Sequence, residues 1–241
     1  MKKIELFFVT VLFCLGVAGQ VSVTYNGKFF RVSPTSVVKD SAGQQLQYED
    51  WRAMLSNGDY DIRPVDPDNN QTSFLLTRFN KEEQQKRLEA APKPIESNAF
   101  MDKKKISSFS ARDMQGIKID SKELKGKILV LNFWFINCPP CRHERPYLNQ
   151  LVTDYANDSD VVFVAVALDD KPQLEVFLKE NPFAYHVIPN GTGIVNDNAV
   201  NQFPTHVIID KEGKIAFNTV SYNAVTGYWL RKIIDEIRNG K

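Results

Sequence analysis

The sequence predicts an α/β fold, a mixed β-sheet flanked by helices, with a small N-terminal accessory region ahead of it. Three observations predict it. Residues 127–136, KILVLNFWFI, are a continuous apolar, β-branched and aromatic run of the kind that forms a strand buried on both faces. The stretch that follows, PPCRHERPYLNQLVTDYA, repeats Tyr147, Leu148, Leu151, Val152 and Tyr155 at helical spacing. Near the C-terminus THVIID and IAFNTV, joined by the turn KEGK, read as an antiparallel hairpin, which makes the sheet a mixed one.

The remaining elements follow in chain order. Residues 1–19 carry Lys2 and Lys3, an apolar stretch from Leu6 to Val17, and small residues before Gln20. This is the pattern of a secretory signal peptide, and the stretch is short for a membrane span. An uncleaved signal would leave the protein tethered to a membrane. Cys14 follows Phe13, where a lipoprotein signal needs a small residue, so lipidation is disfavoured. Residues 20–79 read as a small accessory domain of mixed character. Asn26-Gly27 marks a hairpin within VSVTYNGKFFRVS, QLQYEDWRAMLSNG a short helix, and SFLLTRF a strand. Residues 80–105 read as a charged, solvated helix and a linker. From residue 106 onward come the strand and helix already described, a second buried strand VVFVAVAL, a helix KPQLEVFLKEN, the hairpin, and the amphipathic helix YWLRKIIDEIRNG.

Composition excludes some partners. The chain has 30 basic and 29 acidic residues, and loss of Lys2, Lys3 and Glu5 with the signal leaves 28 of each. A mature chain of about 222 residues near neutrality offers no global field for nucleic acid or an anionic surface.

Of three cysteines, Cys14 falls in the signal, leaving Cys138 and Cys141 separated by Pro139 and Pro140. In an oxidising compartment a ring this small constrains the unfolded chain little, so reactivity explains the pair better than stapling does. A C-x-x-C directly after a buried strand places its first sulfur at a helix N-terminus. The free amides and the macrodipole there stabilise the Cys138 thiolate and lower its pKa. The thiolate attacks a disulfide through a mixed disulfide, and Cys141, one turn on, resolves it. Pro140 fits a first-turn position that needs no amide donor, and Pro139 removes another donor near the thiolate. Arg142 between Cys141 and His143 breaks the C-x-x-C-H haem pattern. His186 and His206 stand isolated and no second C-x-x-C exists, so no metal site is expected. A copper-binding chaperone using Cys138, Cys141 and His143 is the alternative from a different class.

The stretch NFWFINCPPCRHERPYLNQL resembles the active-site segment of the thioredoxin superfamily, and within it the extracytoplasmic TlpA/ResA-like thiol–disulfide oxidoreductases. The resemblance covers residues 106–241. QFPTHVIIDKEGKI resembles that family's x-P-T loop and hairpin, which implies a cis Pro204 facing the sulfurs. Phe203 and Thr205 would flank it and help to dock an extended substrate segment. Trp134 and Pro146 match the family pattern as well, Trp134 reading equally as core packing and Pro146 as a kink in the helix. The resemblance implies a thioredoxin-like fold and exchange with protein disulfides or dithiols. It implies no dissociable cofactor and, for a reductant, re-reduction by a membrane thiol-transfer protein.

Departures from the pattern matter too. Asn132 stands where cytoplasmic thioredoxins carry a buried aspartate, and Asn137 replaces the usual tryptophan. Glu144, three residues after Cys141, is a candidate to face it across one helical turn. The simpler expectation is an exposed glutamate that belongs to the family's pattern. FWFINC lacks the proline and threonine of the peroxiredoxin motif, which disfavours peroxidase activity. A disulfide oxidase or isomerase of the same fold remains an alternative, because direction follows the reduction potential.

Overall fold

The computed structural model describes residues 10–12, 21–56, 58–221 and 225–240, so most of the expected signal peptide lies outside the described residues. The chain forms two compact units, residues 1–91 and 92–241.

The first unit contains a sheet of β1 (Thr10–Leu12), β2 (Val21–Tyr25) and β3 (Lys28–Val32) in that order. The β2–β3 turn has positive φ at both Asn26 and Gly27, as a tight hairpin with right-handed twist requires. A second sheet has the order β5-β4-β7-β6, formed by β4 (Val38–Lys39), β5 (Gln45–Leu46), β6 (Tyr60–Pro64) and β7 (Phe74–Arg78). Helix α1 (Tyr48–Ser56) contributes Trp51 and Leu55 to a core with Val23, Phe30, Ile62 and Leu76. Helix α2 (Lys81–Ala90) buries no residue and is held at its start by a capping box between Asn80 and Glu83.

The second unit is built on a five-stranded sheet. In chain order its members are β10 (Ile128–Trp134), β11 (Val161–Ala167), β12 (His186–Ile188), β13 (Thr205–Ile209) and β14 (Ile215–Val220). Their spatial order is β12-β11-β10-β13-β14, with β10 parallel to β11 and antiparallel to β13. Strand β10 is central and buried along its whole length, which is why its sequence is apolar throughout rather than alternating. Ile128, Val130 and Trp134 enter one core with Leu148 and Leu151 of α3 (Pro139–Asp154) and Leu230 and Ile234 of α6 (Thr226–Arg238). Leu129, Leu131 and Phe133 enter the core on the opposite face, with Phe100, Phe109 and Val195. Helix α4 (Lys171–Glu180) begins with a capping box between Asp170 and Gln173, and α5 (Thr192–Asp197) is a short helix after β12. A two-stranded ribbon, β8 (Ser110–Arg112) with β9 (Lys118–Asp120), precedes β10.

Residues 92–105 differ from the expected linker. Ser97, Ala99 and Phe100 are buried, and the Phe100 ring stacks against Phe133 with centroids 6.3 Å apart. The segment also runs beside β14. Thr219 Oγ1 donates to the Ile95 carbonyl at 2.9 Å, Ser97 N–H to Asn218 Oδ1 at 2.8 Å, and Ile215 N–H to the Lys104 carbonyl at 2.9 Å. On the other edge of the sheet, Met114 N–H donates to the Val187 carbonyl at 2.8 Å and Asp113 Oδ2 lies 2.7 Å from His186 Nδ1. Lysines on both sides of Ala99-Phe100 hide this pair from a reading by composition.

Candidate active site

The centre of the site is where β10 gives way to α3. Cys138 is the N-cap of α3: its Sγ accepts from Cys141 N–H at 3.3 Å, and its carbonyl accepts from Arg142 N–H at 3.1 Å. Pro139 and Pro140 occupy the first two helical positions, whose amides would find no partner within the helix. Cys138 and Cys141 are joined as a disulfide, and both are buried.

The connection from β10 to Cys138 is clamped from β11. Leu168 N–H donates to the Trp134 carbonyl at 3.1 Å, and Ile136 N–H donates to Asp169 Oδ2 at 2.7 Å. A hydrogen bond to a charged acceptor is of the stronger kind. Asp169→Ala frees the loop that presents Cys138, and is expected to slow a thiol–disulfide exchange assay about tenfold. The melting temperature should fall by no more than a few degrees. Trp134 is buried against Phe177 and Phe183, at centroid distances of 6.0 and 5.5 Å, so its place here is core packing.

The loop before β13 carries Phe203 and Pro204 joined by a cis peptide bond. The Pro204 carbonyl accepts from Ser221 N–H at 2.8 Å, and Thr205 Oγ1 donates to the Gln202 carbonyl at 2.8 Å. Pro204 and Thr205 are buried. Phe203 is half-buried, and its ring meets Phe135 edge-on at 5.4 Å, which ties this loop to the one that leads into Cys138. Arg142 and His143 are exposed on the first turn of α3. Arg142 and Arg145 both lie over the Phe177 ring, at 5.7 and 5.0 Å. Burial, with Arg142 adding to it, pushes the Arg145 guanidinium below its ordinary pKa.

Along the buried face of α3 the structure corrects two expectations. Glu144 is 1% exposed rather than on the surface, and His206 is wholly buried and paired rather than isolated. Asn132 Nδ2 donates to Glu144 Oε1 at 3.0 Å and lies 3.4 Å from His206 Nδ1. His206 Nε2 lies 2.9 Å from Glu144 Oε2. His186, also read as isolated, is the partner of Asp113 noted above. Burial and the Glu144 carboxylate push the Tyr185 hydroxyl well above the ordinary tyrosine range, which places this ring within the field of Glu144.

Both misses have a cause in the pattern. Cys141, Glu144, Leu148 and Leu151 are the buried residues of α3, so Glu144 falls on the inner stripe between apolar positions. His206 stands opposite Asn132 in the β10–β13 register, on the sheet face covered by α3. The available signal was a polar residue in each of two strands otherwise buried throughout.

Comparison with known proteins agrees with this geometry. The AhpC/TSA family model matches residues 103–218. The thiol–disulfide oxidoreductase ResA of Bacillus cereus is 35% identical over 123 residues, covering 48% of this chain and 71% of the relative. The thioredoxin-like protein YneN of Bacillus subtilis is 33% identical over 109 residues, 44% of this chain and 64% of the relative. A Chlorobium tepidum structure described as a thiol:disulfide interchange protein DsbE superposes with a TM-score of 0.52 at 25% identity, over 56% of this chain and 97% of its own. Its fold and chemistry together place the chain in the ResA-like family of thioredoxin-fold thiol–disulfide oxidoreductases.

Proposed function

We propose that the chain is exported and reduces protein disulfides outside the cytoplasm through its Cys-Pro-Pro-Cys dithiol. The observation that carries this reading is the place of Cys138, capping α3 beside the cis Pro204 loop, with a buried carboxylate three residues beyond Cys141. The basic and apolar start of residues 1–19 supports export.

Cys138 acts as the attacking thiolate and forms a mixed disulfide with one substrate sulfur, releasing the other. Cys141 then gives its proton to Glu144 and attacks Cys138 Sγ. The Cys138–Cys141 bond forms as the Cys138–substrate bond breaks, and the electron pair leaves with the substrate sulfur, which takes up a proton. Two electrons pass from the dithiol to the substrate disulfide. Phe203, Pro204 and Thr205 shape the docking of an extended segment, Phe203 and Phe135 offering it an aromatic wall. Glu144 on the helix does what an acid on β10 would do, and Asn132 becomes its hydrogen-bond donor. A membrane thiol-transfer protein returns the oxidised pair to the dithiol.

The reduction potential of the Cys138–Cys141 pair tests the direction. Equilibration of the mature protein with a dithiothreitol series should give a value toward about −270 mV, as for a dedicated reductant. A value toward about −120 mV would make the protein a disulfide donor and overturn the proposed direction.

A further inference from the structure

We propose that His206 is a positioning residue for the exchange reaction. It holds Glu144 as a fixed carboxylate about one helical turn from Cys141 on the buried face of α3, so that the Glu144–His206 pair, and not Glu144 alone, receives the resolving cysteine's proton. This inference rests on the reading of Glu144 as the acceptor.

The hydrogen-bond inventory of the cluster carries it. Asn132 Nδ2 has two hydrogens and two neighbours, Glu144 Oε1 and His206 Nδ1. If the amide gives one hydrogen to each, His206 Nδ1 is an acceptor, and Nε2 then carries the proton and donates to Glu144 Oε2. Both carboxylate oxygens receive a donor. A carboxylate that is 1% exposed must be met in this way, because unpaired burial of a charge is costly. His206 thereby fixes the plane of the carboxylate as well as its charge.

The same cluster accommodates the protonated state. When Glu144 gains the Cys141 proton at Oε1, the Asn132 amide hydrogen facing it becomes a second donor, and that contact turns repulsive. Asn132 Oδ1 is buried and has no hydrogen-bond partner among the described residues. Turning the amide over brings this oxygen to face the new O–H and gives up the 3.4 Å contact to His206 Nδ1, the longer of the two the amide makes. The acceptor that the charged state leaves unused is the one that the protonated state needs.

The ionisable group that faces His206 is Glu144 on α3, and the Tyr185 hydroxyl lies within the field of that carboxylate. Strand β14 sets Thr219 opposite His206, and the buried residues of α6 are Thr226, Leu230 and Ile234. His206 therefore meets one carboxylate, and the pair works as a unit.

The test uses the reduced mature protein and dithiobis(nitrobenzoate) in stopped flow. The first thionitrobenzoate released reports attack by Cys138, and the second reports resolution by Cys141. His206→Leu is expected to slow the second phase relative to the first about tenfold at pH 7 and to move its pH dependence upward. His206→Gln keeps a donor for Glu144 and should restore most of the loss. If Glu144→Gln slows the second phase while His206→Leu leaves the ratio and its pH profile unchanged, His206 is structural only and this inference fails alone. If Glu144→Gln leaves the ratio unchanged, the reading of Glu144 as acceptor fails and takes this inference with it. A melting curve of each variant checks folding, and if His206→Leu does not fold, His206→Thr at the same position decides.

Discussion

A Cys141→Ser variant is expected to accumulate covalently bound substrate. With Cys138 free to attack and nothing to resolve the product, each turnover stops at the mixed disulfide. The environment of Cys138 supports attack without Cys141, because its Sγ accepts from the backbone amide of residue 141 and not from that side chain. Serine keeps this amide and the helix geometry. Non-reducing electrophoresis of the variant incubated with an oxidised protein should show adducts that dithiothreitol removes, and steady-state turnover should fall by at least about a thousandfold. Cys138→Ser should lose turnover to the same extent and form no adducts, since Cys138 caps α3 at its N-terminus, where a thiolate is stabilised, and Cys141 lies within the helix. Equal adduct formation by the two variants would show that the assignment of attack to Cys138 is wrong.

Glu144→Gln is expected to slow resolution by about a hundredfold at neutral pH, the usual contribution of a positioned acid–base group. The substitution is nearly isosteric, and the fold should tolerate it. What is lost is the acceptor. Raising the pH lets solvent remove the Cys141 proton, so the deficit should shrink in alkaline buffer. A deficit of equal size at every pH would instead point to a packing defect. Because burial and the Glu144 charge together hold the Tyr185 hydroxyl above its ordinary range, the neutral glutamine should also bring the Tyr185 titration down. Ultraviolet difference spectroscopy would follow that change without any reference to activity.

Particular residues show what the sequence could reveal. The run 127–136 announced its own burial because the central strand of a covered sheet has no polar face to display. Cys138 and Cys141 were legible because a strand, a cysteine pair and a helix in that order admit few chemistries. Asn26-Gly27 announced its hairpin through the φ values that such a turn demands. By contrast, strand β12 and helix α5 are too short to develop a period that a pattern could register. Glu144 and His206 were hidden for another reason. A charged side chain is read as solvated unless its partner is known, and these partners lie 62 residues apart in the chain. Pairing between distant residues is a property of the fold, and it reaches the sequence only as a polar residue in an apolar stripe.

The strap of residues 95–104 along β14 also bears on where the catalytic body begins. An uncovered edge strand presents free amides and carbonyls to any other chain that can pair with it. The motifs by themselves invite a cut near residue 106, since every recognisable feature lies beyond it. Such a cut would bare β14 and empty the place that Phe100 fills against Phe133. The shortened protein would keep both cysteines and still be prone to self-association, and a loss of activity would be misread as a role for the N-terminal unit. Separating the two units cleanly calls for a cut between Ala91 and Pro92, which leaves the strap with the sheet it protects.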